Sequence, residues 1–208
     1  MTFNKIFYVA VRLFFKILFI LYNRLSIRWT EPIPKGKVIV ASNHCSNLDP
    51  VLVGAAFPRP LCYFAKEELF RPFLFGRIIR ILGALPVSRS DNASAAGALK
   101  AFLKILEEGS DVLIFPEGSR SPDGNLLPLE GGVGLIAAHS KVPILPVYVK
   151  GSFKAMPTGS PFIRPTKLTV TFGKPLSFDS EFLKTKGARE KIVEELTNSM
   201  RALEASCS

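Results

Sequence analysis

The chain has 208 residues, 48% of them hydrophobic, and 27 lysines and arginines against 17 acidic residues give a net charge of +10. That length fits one domain with a full core, the composition is too polar for a multispanning membrane protein, and the charge points to an anionic, apolar partner such as a membrane surface, with no motif that would favour nucleic acid. Cys45, Cys62 and Cys207 match no disulfide or zinc spacing and fit a reducing, cytoplasmic compartment, while His44 and His139 are too few for a multi-histidine metal site.

Residues 3–22 are almost entirely apolar, interrupted by Lys5, Arg12 and Lys16. A secretory signal would need an uncharged apolar core and a small-residue cleavage site, and neither is present. At about 100° per residue, Lys5, Arg12, Lys16 and Asn23 fall within about 40° of one another. One narrow polar stripe on an apolar cylinder is the pattern of a helix lying in the membrane interface, cations toward the headgroups. A spanning helix would hold Arg12 and Lys16 near mid-bilayer at about 2.5 to 3.5 kcal/mol each. That reading, and a helix packed on the domain, are the alternatives. Residues 1–28 are predicted as the membrane-associating helix and 29–208 as the single domain that follows.

Trp29 and the stretch from Pro32 to Gly36 end the helix in a short linker. KVIVAS at 37–42 reads as a buried strand. Asp49-Pro50 opens a short helix, with Asp49 as its N-cap and Pro50 in the first helical position. A strand follows at 61–65, and then a helix over 67–82 in which Phe70, Phe73, Phe75 and Ile79 interleave with Arg71, Arg77 and Arg80. That mixture suits a second membrane-facing patch. A short strand at 85–87 precedes a helix over 92–108 stopped by Gly109. Residues 111–115 form a strand, 132–140 a helix, and 144–149 and 167–172 two more strands. Ile192, Leu196, Met200 and Leu203 recur at helical spacing in a closing helix over 188–204. Alternating strands and helices predict an α/β domain with a central mostly parallel or mixed sheet flanked by helices. Ligands of such sheets gather at strand ends.

Two polar clusters fall at such ends. In Ser42-Asn43-His44-Cys45-Ser46-Asn47-Leu48-Asp49, an imidazole beside a strand end is placed to take a proton near neutral pH. Asp49, brought back by a loop, would hold the other ring nitrogen and fix the tautomer. In Phe115-Pro116-Glu117-Gly118-Ser119-Arg120, Arg120 offers a planar fork to phosphate oxygens, and Ser119, with the backbone amides around Gly118, adds neutral donors. Glu117 would bind hydroxyls of the same ligand or order Arg120. His139, on an apolar helix, reads as structural.

An H-x4-D followed by F-P-E-G-S-R resembles the glycerolipid acyltransferases, in particular those acting on 1-acylglycerol 3-phosphate, and the resemblance spans roughly residues 37 to 173. It implies that His44 is the base that deprotonates the acceptor hydroxyl and that Asp49 orients it. The acyl thioester is then attacked directly, in keeping with the lack of a G-x-S-x-G nucleophile elbow. Gly83 to Arg89 is similar to the family's G-x-x-F-I-x-R block, with Pro86 and Val87 at the altered positions, which makes Arg89 a second phosphate cation. Lys66 is a further basic candidate. Val142 to Val147 resembles a fourth, structural block. Relatives often carry a lysine just before a glycine pair, and here that position is Glu130. The expectation is a monotopic enzyme at the cytoplasmic face of a membrane, with 29–208 as its acyltransferase domain, serving phospholipid biosynthesis. The donor would be an acyl-CoA or acyl-carrier protein, the acceptor a lysophospholipid and the product phosphatidic acid, with no metal or redox cofactor. Acylation of glycerol 3-phosphate or another lysophospholipid, and a non-catalytic membrane phospholipid-binding protein, are the alternatives.

Overall fold

The structure is a computed structural model that describes residues 5–87 and 95–207. Its elements in order are α1 (Lys5–Asn23), β1 (Ser26–Trp29), β2 (Ile39–Ser42), α2 (Asp49–Ala56), β3 (Leu61–Lys66), α3 (Phe73–Ile81), β4 (Ala84–Val87) and α4 (Ala95–Glu107). They continue as β5 (Asp111–Ile114), α5 (Gly132–Ser140), β6 (Ile144–Lys150), α6 (Ser152–Ala155), β7 (Thr169–Phe172) and α7 (Ala188–Ser206). The seven strands form one sheet in the order β1-β7-β6-β2-β5-β3-β4. Every pairing is parallel except β6 with β7. The expected α/β architecture with a mixed sheet is therefore present.

Two cores sandwich the sheet. One gathers Phe19 of α1, Leu52 and Val53 of α2, and Ile79 of α3 over Val40, Leu113, Val147 and Phe172. The other gathers Phe102 and Leu106 of α4, Ile136 of α5, and Ile192, Leu196 and Met200 of α7 over Ile39, Val112 and Ile144. The adjacent strands β2 and β5 send their connections in opposite directions. From β2 the chain crosses through α2 to β3; from β5 it crosses back through α5 to β6. A crevice opens at the carboxyl ends where connections diverge in this way, and both polar clusters leave the sheet there.

Three sequence expectations change. The end of the segment read as helix, with Trp29 of the linker, forms β1, which pairs with β7 from Ser26↔Thr169 to Trp29↔Phe172. A four-residue edge strand is too short to show a period, and its anchor is the Trp29 ring stacked on Phe172 at 3.7 Å. The boundary placed at residue 28 thus falls inside a strand. The helix expected over 67–82 splits into a 3₁₀ turn, Glu67–Phe70, and α3. Pro72 has no N–H to donate, so it cannot sit inside a helix and instead stands just ahead of α3.

Arg12 and Asn23 of the α1 polar stripe turn the other way from expectation. Arg12 donates to the Phe57 carbonyl at 3.0 Å, and Asn23, 1% exposed, donates to the carbonyls of Arg164 and Thr166. Tyr8 reaches the Arg59 carbonyl at 3.1 Å. Unpaired backbone carbonyls of the domain attract the stripe's donors, and paired burial costs less than exposing those carbonyls. What faces outward is apolar: Ile6, Phe14, Ile17 and Leu21 lead a long row of exposed large side chains. The Lys5 side chain lies outside the described residues.

Candidate active site

The loop after β2 folds back on itself so that one carboxylate oxygen collects three donors. Asp49 Oδ2 lies 2.9 Å from His44 Nδ1 and accepts the backbone amides of Cys45 and Ser46 at 2.7 Å each. Asp49 is fully buried and is the first residue of α2; Leu48 occupies the N-cap, with no side-chain cap bond. The expected capping role is therefore replaced by organisation of the preceding loop. The His44 side chain is 19% exposed and that of Asp49 0% exposed, so the pair is solid on one side and open on the other. With the Nδ1 proton donated to Asp49, Nε2 is the acceptor nitrogen.

The loop after β5 clamps the histidine from its other sides. The Phe115 ring stacks on the imidazole, centroids 4.1 Å apart and planes 23° apart. Glu117 is buried, and its two oxygens accept the amides of His44 at 2.6 Å and Leu127 at 2.8 Å. Glu117 thereby ties the two loops together. Burial pushes its carboxyl above the ordinary glutamate range, against the pull of those amides and of His44. Ser121 N donates to the His44 carbonyl at 2.7 Å, and Arg120 Nη1 to Asn47 Oδ1 at 2.9 Å. The first motif thus meets the second through a ring stack, a carboxylate, an amide and a guanidinium.

Gly118 and Ser119 form the exposed tip of the turn beside half-buried Arg120. Gly118 has φ +67°, and a Cβ there would collide with the Glu130 carboxylate. The left-handed φ favours glycine here, and a side chain would also push the Glu130 carboxylate aside. Glu130 accordingly sets an exposed negative charge beside the candidate anion-binding turn. Arg89 lies outside the described residues, and the same holds for the Lys66 side chain. His139, with Nδ1 2.8 Å from the Leu135 carbonyl one turn back, is far along the chain from these loops.

Residues that sequence reasoning passed over complete the frame. Asn43 accepts Val149 N at 2.7 Å and donates to Val149 O at 3.0 Å, pinning the end of β2 to β6. Ser46 Oγ donates to the Met156 carbonyl at 2.7 Å. Their one signal in the sequence is a run of small polar residues directly after a buried strand. Cys45 is buried beside His44, and its thiol is pushed up to about 12 by burial, reinforced by Asp49 and Glu117. It is a neutral neighbour with no thiolate to offer. Among the described residues, no group of three or more His, Cys, Asp or Glu side chains is placed to hold a metal ion.

The arrangement offers a proton acceptor held by a carboxylate, with an arginine and turn amides nearby for an anion. The Acyltransferase family model matches residues 24–150. A chloroplastic 1-acyl-sn-glycerol-3-phosphate acyltransferase of Brassica napus is 30% identical over 178 residues, covering 84% of this chain and 52% of the relative. The chain spans about half the length of the first such relatives it matches. A 1-acyl-sn-glycerol-3-phosphate acyltransferase of Bacillus subtilis is 29% identical over 168 residues, 80% of each chain. The crystal structure of the 1-acyl-sn-glycerophosphate (LPA) acyltransferase from Thermotoga maritima superposes with a TM-score of 0.76 at 25% identity, covering 97% of this chain and 80% of that one.

Proposed function

The chain belongs to the acyltransferase family, and from that premise we propose that it transfers a fatty acyl group from a thioester to the free hydroxyl of 1-acylglycerol 3-phosphate, forming phosphatidic acid. The observation that carries this reading is the 2.9 Å contact between His44 Nδ1 and Asp49 Oδ2 beneath a ring whose other edge is open. Nε2 takes the acceptor's hydroxyl proton as its oxygen attacks the thioester carbonyl carbon. Asp49 stabilises the imidazolium that results. The carbon–sulfur bond then breaks, and the departing thiolate takes its proton from His44. No acyl-enzyme intervenes, in keeping with the raised Cys45 thiol. Arg120, with Ser119 and the turn at Gly118, holds the acceptor phosphate; Arg89 and Lys66 add positive charge. The chemistry calls for no metal or redox cofactor.

The acceptor is a membrane lipid, so the enzyme works at a bilayer surface. In this reading α1, within residues 1–28, is the membrane-associating part and 29–208 the acyltransferase domain, at the cytoplasmic face and within phospholipid biosynthesis. The segment Ile6–Asn23 is long and apolar enough to cross a membrane by length and composition. Arg12 and Asn23 turned onto domain carbonyls support a helix lying in one leaflet, apolar face to the acyl chains. A second reading takes another lysophospholipid as acceptor; it is favoured by the Glu130 carboxylate lying against Gly118.

The test is purified protein assayed with acyl-CoA and acyl-carrier protein against a panel of acceptors, products identified by mass. Phosphatidic acid formed only with 1-acylglycerol 3-phosphate supports the first reading. Preference for a different lysophospholipid supports the second. Binding of lipid without thioester cleavage would overturn both in favour of a non-catalytic lipid-binding protein.

A further inference from the structure

A cleft of about 600 Å³ opens beside the carboxyl end of β6 and the start of β7, with Glu204 of α7 and Cys207 just after it in the wall. The acid–base mechanism does not use it. Its rim carries Arg28, Lys150, Lys154 and Lys167. Among the described residues two carboxylates also line it, and both are engaged. Glu204 accepts the Tyr148 hydroxyl at 2.8 Å. Asp123 accepts Ser121 Oγ and the amide and side chain of Asn125. Lys150 donates to the Cys207 carbonyl. The side chains of Arg28, Lys154 and Lys167 remain without hydrogen bond or ion pair among the described residues.

The cleft also has a polar group in want of a partner. Ser152 lines it, is 1% exposed, and its Oγ has no hydrogen-bond partner among the described residues. A buried hydroxyl left unpaired is costly and marks a place where a ligand or water completes the structure. Gly151, at φ +92°, brings the chain so close to the Lys167 carbonyl that a Cβ would stand 2.2 Å from it. The cations of the two segments are thereby drawn to one mouth. The volume falls within the range of about 300–1,000 Å³ typical of small-molecule sites. Three unpaired cations around such a hollow select an anion with several phosphate oxygens.

We propose that this cleft holds the phosphate-bearing nucleotide end of a coenzyme A thioester. The proposal rests on the acyl-transfer reading above and names its donor. One feature favours the donor over the acceptor: in the reading above the acceptor's one phosphate is assigned to Arg120, which is not among the residues lining the cleft, whereas the nucleotide end of a coenzyme A thioester carries several phosphate oxygens to meet Arg28, Lys154 and Lys167. The path to the reacting centre is short in the chain. Cys45, next to His44, forms part of the cleft wall, with its Sγ 3.7 Å from the Gly124 carbonyl. The pantetheine arm leaves the cleft past Gly124 toward His44.

The test is calorimetric titration of free CoA into the full chain in detergent, without acyl group or acceptor. The variant is Arg28→Gln/Lys154→Gln/Lys167→Gln, whose side chains are exposed and whose fold is checked by melting. The Kd for CoA should rise about tenfold, the sum of three partly screened contacts. The penalty should shrink for dephospho-CoA and vanish for glycerol 3-phosphate. In turnover the donor KM should rise in step, with the acceptor KM moving less than about twofold. Unchanged CoA affinity, or an equal loss for glycerol 3-phosphate, overturns the proposal. So does a wild type that ignores CoA but accepts acyl-carrier protein, an outcome that leaves the acyl-transfer reading standing. CoA binding weakened by the triple variant, in a protein that acylates no lysophospholipid, supports the cleft and overturns that reading.

Discussion

One oxygen of Asp49 receives both the His44 ring and the two amides that shape the loop around it. Positioning and loop folding are therefore the same event, and the two substitutions that dissect it should differ. His44→Ala removes the base and should lower kcat by about two to four orders of magnitude, with little change in acceptor binding. Asp49→Asn keeps an acceptor for the amides but can offer an N–H to Nδ1, favouring the wrong tautomer. Its kcat should fall by about three orders of magnitude. Steady-state kinetics on the folded variants checks both, and near-normal kcat in His44→Ala would falsify the assignment. Arg120→Lys loses the planar fork and should raise the KM for a phosphorylated acceptor while sparing its dephosphorylated analogue; equal penalties on both would remove Arg120 from the phosphate. Glu117 gives a prediction in pH. Burial raises its folded carboxyl above the unfolded value, so the folded chain binds the proton more tightly. Its contribution to stability is fully present below about pH 4, near the unfolded value, and declines as pH rises through the folded value. The destabilisation caused by Glu117→Gln should therefore be larger at pH 4 than at pH 7, measured by denaturant titration at both. A penalty that grows with pH would contradict the burial argument.

At the scale of elements, α1 is the part whose chemistry the sequence shows and whose orientation it hides. The stripe of Arg12, Lys16 and Asn23 is legible from spacing alone, but which way it faces depends on carbonyls at Phe57, Arg164 and Thr166, remote in the chain. The docked orientation changes the informative experiment. Deleting residues 1–28 would remove Phe19 from the core and most of β1 from the sheet, so a loss of function would say nothing about membranes. Ile6→Gln/Phe14→Gln/Leu21→Gln touches only outward-facing side chains. It should weaken sedimentation with anionic vesicles and activity on vesicle-embedded acceptor by about tenfold or more, since each buried aliphatic or aromatic side chain is worth about 1.5–3 kcal/mol. Activity on a short-chain soluble acceptor and the melting temperature should hold. Equal loss on both acceptors would rule out an interfacial role. On α3, Arg77 and Arg80 lie over the Phe73 and Phe70 rings at 4.9 Å each, so the basic, aromatic patch read from the sequence is partly knitted to itself.

For the whole molecule, the alternation of strands and helices was enough to read an α/β domain, because period and punctuation are local. The His44–Asp49 pair and the turn around Gly118 were legible as residue types in loops. The interlock between them was not: the two amide partners of Glu117 lie 73 and 10 residues away. Asn43 and Ser46 escaped notice for the same reason, since a buried polar side chain declares itself only through the carbonyl or amide it reaches. The cleft among Arg28, Lys150, Lys154 and Lys167 was equally invisible, being assembled from the two ends of the chain and the segment after β6.

The pairing of β1 with β7 has a consequence for the order in which the protein is made. Strand β1 joins the sheet only through β7, whose residues follow roughly 140 positions later. At synthesis rates of about 5–20 residues per second, that interval lasts about 7–30 s. Through it, α1 has left the ribosome with neither its sheet nor the Arg164 and Thr166 carbonyls to dock against. A nearby bilayer is then the first surface able to take up its apolar side. On the membrane reading proposed above, the sheet would close from the carboxyl-terminal half onto a helix already lodged in lipid, and delivery to the membrane would precede completion of the fold.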